Sequence, residues 1–140
     1  ASRGTGILAG VCLGMQLLAK ESEESPGVSG LSLIDASVQH LSGIASPRDR
    51  VPHVGWSEAS RKHSSFFLWS KMEDGDNFYF SHSFHVVMNP ELTSETLQTN
   101  FGETDFVSAL RDENIVAFQF HPEKSHRYGM RLLGNFLDLL

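Results

Sequence analysis

A short apolar run that ends at a glycine-flanked cysteine constrains the fold of this chain most. Ile7 to Val11 is apolar without alternation, which is typical of a strand covered on both faces in a parallel sheet. Residues 14 to 20 follow at once and have the pattern of a helix. Because buried parallel strands are joined through helices, this order predicts an α/β fold.

Short apolar segments follow, separated by stretches rich in Ser, Gly and Pro. Residues 21–30 are predicted to be loop, 31–41 a turn followed by a strand, and 42–65 mostly irregular. The segment 66–69 fits either a strand or a turn of helix, and strands are predicted at 78–80, 84–88, 104–109 and 115–120. An amphipathic helix is predicted after Ser125 from the spacing of Met130, Leu133, Phe136, Leu137 and Leu140.

The composition limits the class of partner and the compartment. The length of 140 residues makes a single domain, 1–140, the default. The net charge is −6 and the basic residues are scattered, which argues against nucleic acid or an anionic membrane as the main partner. No apolar run approaches the roughly 20 residues that span a bilayer. With Cys12 as the only cysteine, no intrachain disulfide is possible, and a reducing cytoplasm fits best.

Cys12 is a candidate nucleophile. It lies between Gly10 and Gly14, where the first predicted strand meets the first predicted helix. A turn this tight strains its central residue, and flanking glycines remove Cβ atoms that would clash. The helix start is expected to favour the thiolate, which is the attacking form. The alternative is a small buried hydrophobic residue, and the motif alone does not decide between the two.

His121 and Glu123 are candidates for a general base and the group that orients it. They follow the clearest late strand, and residues two apart in extended chain project the same way. Glu123 could hold one imidazole nitrogen while the other faces a thiol. A surface strand end with a casual His/Glu neighbour is the alternative. Both motifs follow predicted buried strands, where open α/β sheets place their sites, so cysteine-dependent acyl transfer is the leading hypothesis.

Metal and phosphate sites are weaker interpretations. His82 and His85 are three positions apart, which in a strand points them to opposite faces. The histidines and Cys12 lack a recognised zinc spacing. Gly4-Thr5-Gly6 precedes a strand and does not follow one, as a phosphate loop would. We therefore expect no metal and no cofactor.

Two motifs resemble those of a known family. Gly10-Val11-Cys12-Leu13-Gly14-Met15-Gln16 is similar to the nucleophile elbow of class I glutamine amidotransferases, and Gln119-Phe120-His121-Pro122-Glu123 to their His-Pro-Glu signature. The segments 21–24, 51–56 and 79–84 narrow the resemblance to the glutaminase subunit of imidazole glycerol phosphate synthase. The resemblance covers residues 7 to 140 and implies a flavodoxin-like, mostly parallel sheet with flanking helices.

The resemblance implies a reaction and its residues. Glutamine would be hydrolysed to glutamate and ammonia through a thioester on Cys12, with His121 and Glu123 completing a triad. The substrate-binding positions match Gly14, Gln16, Glu24, His82 and Ser83. A carboxylate for the substrate ammonium and donors for its carboxylate are what a zwitterion requires. A solvated loop charge is the alternative for Glu24.

The resemblance also implies a protein partner. Family members dock on a (β/α)₈-barrel cyclase subunit, forming a heterodimer that makes imidazole glycerol phosphate in histidine biosynthesis. Pro52, His53 and Trp56, in the segment Pro52-His53-Val54-Gly55-Trp56, match positions at that interface, and so does Lys124. An exposed Trp beside Gly and Pro suits an interface anchor, although a core Trp fits the composition equally well.

Two departures from the family pattern stand out. Phe84 stands where the family has Tyr. Only eleven residues precede Cys12, whereas family members carry an N-terminal segment whose glycine-rich loop completes the oxyanion hole. Loss of an oxyanion donor costs roughly 10²–10³ in rate. We expect the chain to be the C-terminal portion of the family domain, and inactive or unstable alone.

Two other functions stay open on the sequence. One is an amidotransferase subunit that serves another synthase, for example in surface-sugar biosynthesis. The other is a non-catalytic remnant or interaction module that keeps the triad.

Overall fold

The structure, a computed structural model, describes residues 6–61, 68, 70, 72, 73, 75–92 and 94–140. Single 3₁₀ turns lie at Leu41–Gly43 and Pro122–Lys124. The longer elements are, in chain order, β1 (Leu8–Val11), α1 (Leu13–Leu17), β2 (Glu21–Ser22), β3 (Ala36–His40), β4 (His53–Glu58), β5 (Asn77–His82), β6 (Phe84–Met88), β7 (Glu95–Phe101), β8 (Thr104–Asp112), β9 (Ile115–Phe118) and α2 (His126–Leu137).

The described strands form three sheets, with the orders β1-β9-β8-β7, β2-β3-β6 and β4-β5. The predicted α/β class is confirmed. The expectation of mostly parallel pairing is corrected, because only β1 with β9 and β2 with β3 are parallel, while the other four pairings are antiparallel. Only two residues join β7 to β8, and two join β8 to β9. Connections that short permit only antiparallel neighbours.

The parallel pair β1–β9 positions the two ends that carry the site. Val11 pairs with Phe118, and the backbone N–H of Cys12 donates to the carbonyl oxygen of Phe118 at 2.7 Å. β9 is buried throughout, as predicted. β1 was expected to be buried on both faces, but within the described residues it pairs with β9 alone, and Leu8 and Val11 are 41% and 38% exposed.

Three strands lie where the sequence did not predict them. The two-residue β2 falls inside the predicted loop 21–30, β4 falls inside the stretch 42–65 that was expected to be irregular, and β7 was not predicted at all. Of the segment 66–69, the structure describes only Leu68, which is buried. The rest of that expectation, like most of Gly4-Thr5-Gly6, lies outside the described residues.

The core consists of two apolar clusters. The larger packs β5, β7, β8 and β9 against α2, and the smaller packs α1 against β3, β6 and β9.

The C-terminal helix is confirmed, but its inner face is offset from the prediction: Gly129, Leu132 and Asn135 are buried, whereas Met130 and Leu137 are 68% and 65% exposed. Within the described ranges, no helix has both the length and the apolar character to cross a bilayer.

Candidate active site

Cys12 lies in a strained strand-to-helix turn. Its backbone has φ 50° and ψ −107°, outside the regions that a non-glycine residue ordinarily adopts. A Cβ atom added to Gly10 would lie 2.8 Å from the carbonyl oxygen of Gly14, so a glycine is required before the cysteine. A Cβ atom on Gly14 would meet nothing within 4 Å. The predicted role of flanking glycines therefore holds at Gly10 and not at Gly14.

The Cys12 thiol is hydrogen-bonded to neighbouring groups of the described residues. It donates to the carbonyl oxygen of Ser81, and Gln119 Nε2 donates to it, each at 3.7 Å. Burial raises the pKa of the thiol, opposed by hydrogen bonds from the Leu13 backbone and the Gln119 side chain. The start of α1 favours the thiolate as expected, because the hydrogen bond from the Leu13 backbone lowers the pKa of the thiol, but the desolvation of the half-buried sulfur outweighs this effect.

His121 is oriented by Glu123, as the sequence predicts. His121 Nδ1 lies 2.7 Å from Glu123 Oε1. Because the carboxylate can only accept, Nδ1 carries a proton and Nε2 is left as the basic nitrogen. The backbone is fixed as well: His121 N–H donates to the Tyr79 carbonyl oxygen at 2.9 Å, and the Ser125 hydroxyl donates to the His121 carbonyl oxygen at 2.6 Å.

No hydrogen bond joins His121 to the Cys12 thiol in the described part of the chain. The two residues nevertheless follow neighbouring parallel strands, with Cys12 hydrogen-bonded to Phe118. Catalytic hydrogen bonds are often long before substrate binds. The arrangement is compatible with the roles predicted for Cys12 as nucleophile, His121 as base and Glu123 as orienting carboxylate.

A cleft of about 370 Å³ opens at the thiol. It brings together most of the residues that the sequence selects for substrate binding, and also Leu13, Ser81 and Phe84. Gly14 is not part of its lining, because that residue lies inside the first turn of α1. The predicted residues around the cleft are Cys12, Gln16, Glu24, Pro52, His82 and Ser83.

Gln16 and Gln119 form a buried amide chain beneath the cleft. Gln16 Nε2 donates to the Phe84 carbonyl oxygen at 3.0 Å and to Gln119 Oε1 at 3.1 Å. Gln119 is fully buried, and its Nε2 donates a hydrogen bond to the Cys12 thiol. Sequence reasoning assigned Gln119 no role, although its position two residues before His121 on the same strand end was a usable signal.

His82 differs from its predicted role. Its ring borders the cleft but is only 6% exposed, and both nitrogens are engaged by the protein: Nδ1 by the Phe84 carbonyl oxygen at 2.7 Å and Nε2 by His53 Nδ1 at 2.9 Å. Ser83, at the bend between β5 and β6, and the exposed Glu24 are open to the cleft. Ser83 and Glu24 are thus better placed than His82 to contact a ligand.

Two of the residues predicted at a protein interface, His53 and Trp56, lie on opposite faces of β4. Trp56 is 45% exposed on the same face as Val54, which belongs to the predicted interface segment and is 56% exposed. His53 lies on the opposite, inward face and contacts His82, so its predicted interface role is not supported. Alternation along the strand separates the two positions.

The remaining interface candidates lie near the substrate cleft and the base. Pro52 is exposed at the cleft rim. Lys124 is exposed directly after Glu123, and its charge lowers the pKa of Cys12. Trp56 stacks on His126 with ring centroids 5.3 Å apart.

Among the described residues, no group of three His, Cys, Asp or Glu side chains is arranged to hold a metal ion.

The chain belongs to the class I glutamine amidotransferase family, whose model matches residues 2–139. It is 43% identical over 131 residues to the imidazole glycerol phosphate synthase subunit HisH of Pyrococcus furiosus, covering 93% of this chain and 63% of that protein. The HisH of Nitrosococcus oceani is 42% identical over 130 residues, covering 91% and 59%. The chain thus spans about three-fifths of the length of these two relatives.

A solved structure gives the same fold. A Thermoplasma acidophilum protein, provisionally assigned as part of a GMP synthase, superposes with a TM-score of 0.66 at 21% identity, covering 95% of this chain and 56% of the other. At that identity the likeness concerns the fold alone. The resemblance inferred from the sequence motifs is confirmed at the level of the family.

Proposed function

We propose that this protein hydrolyses glutamine to glutamate and ammonia through a thioester on Cys12. The observation that carries the proposal is the strained Cys12 turn, which opens on a cleft and which the β1–β9 pairing holds beside the strand end that leads to the His121–Glu123 pair. His121 Nε2 accepts the thiol proton as sulfur attacks the side-chain carbonyl carbon. The same nitrogen returns the proton to the departing ammonia. Water then adds to the thioester with His121 as base, releasing glutamate and restoring the thiol.

The substrate head is held at the other end of the cleft. The exposed Glu24 carboxylate suits the substrate ammonium, and the Ser83 hydroxyl suits its carboxylate. Gln16 acts beneath the substrate, because its amide nitrogen is already shared between Phe84 and Gln119. Substrate binding displaces water from the half-buried thiol and brings the reacting carbonyl to it.

The ammonia is proposed to pass to a cyclase subunit of the (β/α)₈-barrel class that makes imidazole glycerol phosphate in histidine biosynthesis. Identities above 40% with two HisH subunits support this assignment. Val54 and Trp56 form an exposed apolar face on β4, and an aromatic anchor of this kind suits a protein partner. We propose a single domain working in the cytoplasm, where the free Cys12 thiol stays reduced.

Covalent labelling tests the reaction. The protein is incubated with its cyclase partner and a thiol-reactive glutamine analogue, and the modified peptide is identified by mass spectrometry. We expect one label at Cys12, protection by glutamine, and no label in Cys12→Ala. Absence of labelling under all these conditions would leave the chain as a non-catalytic interaction module.

A second measurement tests the partner. Trp56→Ala is expected to weaken cyclase binding by at least about tenfold, as truncation of an interface anchor does. Glu103→Gln, an exposed change in the β7–β8 turn, serves as the control and should bind normally. Normal binding by both variants would remove the β4 face from the interface, and tighter binding to a different synthase would reassign the partner.

A further inference from the structure

His82 lies at the centre of a continuous hydrogen-bonded chain. Its Nδ1 is 2.7 Å from the Phe84 carbonyl oxygen, and its Nε2 is 2.9 Å from His53 Nδ1. His53 Nε2 is in turn 2.9 Å from the Ser57 hydroxyl oxygen. This series of hydrogen bonds runs from the bend beside the cleft to the inward face of β4.

The acceptors fix where each proton lies. A backbone carbonyl can only accept, so His82 Nδ1 must carry the hydrogen. A neutral His82 then has a bare Nε2, which accepts from His53 Nδ1–H. His53 Nε2 is left bare in the same way and accepts from the Ser57 hydroxyl. Both imidazoles are therefore neutral and protonated on Nδ1.

The surroundings favour the neutral form of both rings. Burial lowers the pKa of His82 to about 4, and burial also lowers the pKa of His53. The titratable groups that face His82 are His53, His85 and His121. Their effect has the same sign, since a cation on any of them would oppose protonation of His82.

The contact that His82 makes spans the bend. Its Nδ1–H reaches the carbonyl of the residue two positions later, closing a ring around Ser83. The Phe84 carbonyl oxygen also accepts from Gln16 Nε2, and the Ser83 carbonyl oxygen accepts from Leu41 N–H at 2.8 Å. Side chains from two elements thus converge on one carbonyl next to the residue that faces the cleft.

We propose that His82 is a positioning residue, which as a neutral Nδ1–H imidazole paired with His53 locks the bend that presents Ser83 to the cleft. It does not contact the substrate through its nitrogens. Its effect on glutamine binding rests on the proposed function, whereas its effect on the bend does not.

Nitrogen-15 NMR of the imidazole rings tests the proton positions directly. At pH 7 we expect His53 and His82 both to show a protonated Nδ1 and a bare Nε2. A proton on His82 Nε2, or a charged His82 at this pH, would overturn the proposal. This measurement does not depend on catalysis.

Two variants of the same residue test the bend. In His82→Asn, the amide nitrogen stands near the place of Nδ1 and can still donate to Phe84, whereas His82→Leu lacks any donor. Both lose the contact with His53, so they share that stability cost. We expect Leu to speed amide hydrogen exchange at Ser83 and Phe84 by about tenfold or more and Asn to change it little. Equal exchange in the two variants contradicts the inference.

Glutamine kinetics supply the functional readout. His82→Leu should raise KM about tenfold while kcat changes much less, and His82→Asn should restore KM. A fall in kcat alone would mean that His82 acts in the chemistry and would overturn the positioning role. If the Cys12 labelling fails, the proposed reaction falls, but the NMR and exchange results still decide the role of His82.

Discussion

Gly129 of α2 faces the carbonyl oxygen of Pro122 with no room for a side chain between them. A Cβ atom at this position would overlap that oxygen and would lie 3.0 Å from the Ser125 Cβ. Pro122 stands between His121 and Glu123, so α2 packs directly against the backbone that carries the proposed base and its proposed orienting group. The packing of the helix therefore restrains the position of that backbone.

Gly129→Ala should destabilise the protein and displace the base. The clash is with backbone, which cannot rotate away, so we expect a loss of roughly 2–4 kcal/mol in the free energy of unfolding by urea. Gly134→Ala is the matched control in the same helix, because its Cβ would meet nothing within 4 Å. It should be neutral or more stable by up to about 1 kcal/mol. Similar values for the two variants would contradict the packing.

Gly10→Ala tests the turn that holds Cys12. Its Cβ would lie 2.8 Å from the Gly14 carbonyl oxygen, so the turn must open and the thiol must move. We expect a loss of roughly 1–3 kcal/mol in unfolding free energy and slower labelling of Cys12 by the glutamine analogue. Gly14→Ala meets no neighbouring atom and should leave the fold unchanged. Wild-type labelling in Gly10→Ala would show that the turn tolerates a side chain.

Glu123→Gln tests the orienting group. The amide can place a donor against His121 Nδ1 and so favour the wrong tautomer. We expect kcat for glutamine to fall by roughly 10² or more, with KM little changed. Stability should hardly change, because the Glu123 side chain is 54% exposed. Retention of full kcat would remove Glu123 from the catalytic machinery.

The stability of the fold should fall as the pH drops from 6.5 to 4. His82 has a pKa of about 4 in the folded protein against 6.5 for an unperturbed histidine, so the unfolded chain binds the proton first. Its contribution is full above pH 6.5 and is lost as the pH falls to about 4, a change of roughly 3 kcal/mol. Urea unfolding at several pH values should show a smaller fall in His82→Asn. An identical pH profile in that variant would contradict the low pKa.

The elements that carry the site were predictable because they are local. The apolar strand before Cys12 and the His-Pro-Glu segment after β9 each combine a strand end with chemically distinctive residues. The connection between them was predictable only from the α/β rule that strand ends share an edge. The hydrogen bond from the Cys12 N–H to the Phe118 carbonyl oxygen shows that the ends of β1 and β9 do lie side by side, as that rule requires.

The parts that the sequence missed depend on partners distant in the chain. The inward residues of β4 are His53, Gly55 and Ser57. This face lacks the apolar residues by which a strand is recognised in a sequence, and its partner His82 becomes evident only in the folded structure. The raised pKa of the Cys12 thiol likewise reflects the burial of the sulfur, which no local pattern reports. Pairing partners and desolvation are properties of the folded chain, so the motifs alone could not supply them.

The Cys12–Gln119 contact joins residues 107 positions apart. At a synthesis rate of about 5–20 residues per second, the ribosome makes the cysteine roughly 5–20 seconds before the glutamine and the histidine that follows it. During that interval the nascent polypeptide has a thiol but no base to activate it. The glutamine hydrolysis proposed for this protein therefore cannot begin on an unfinished chain, and translation would set the time at which it starts.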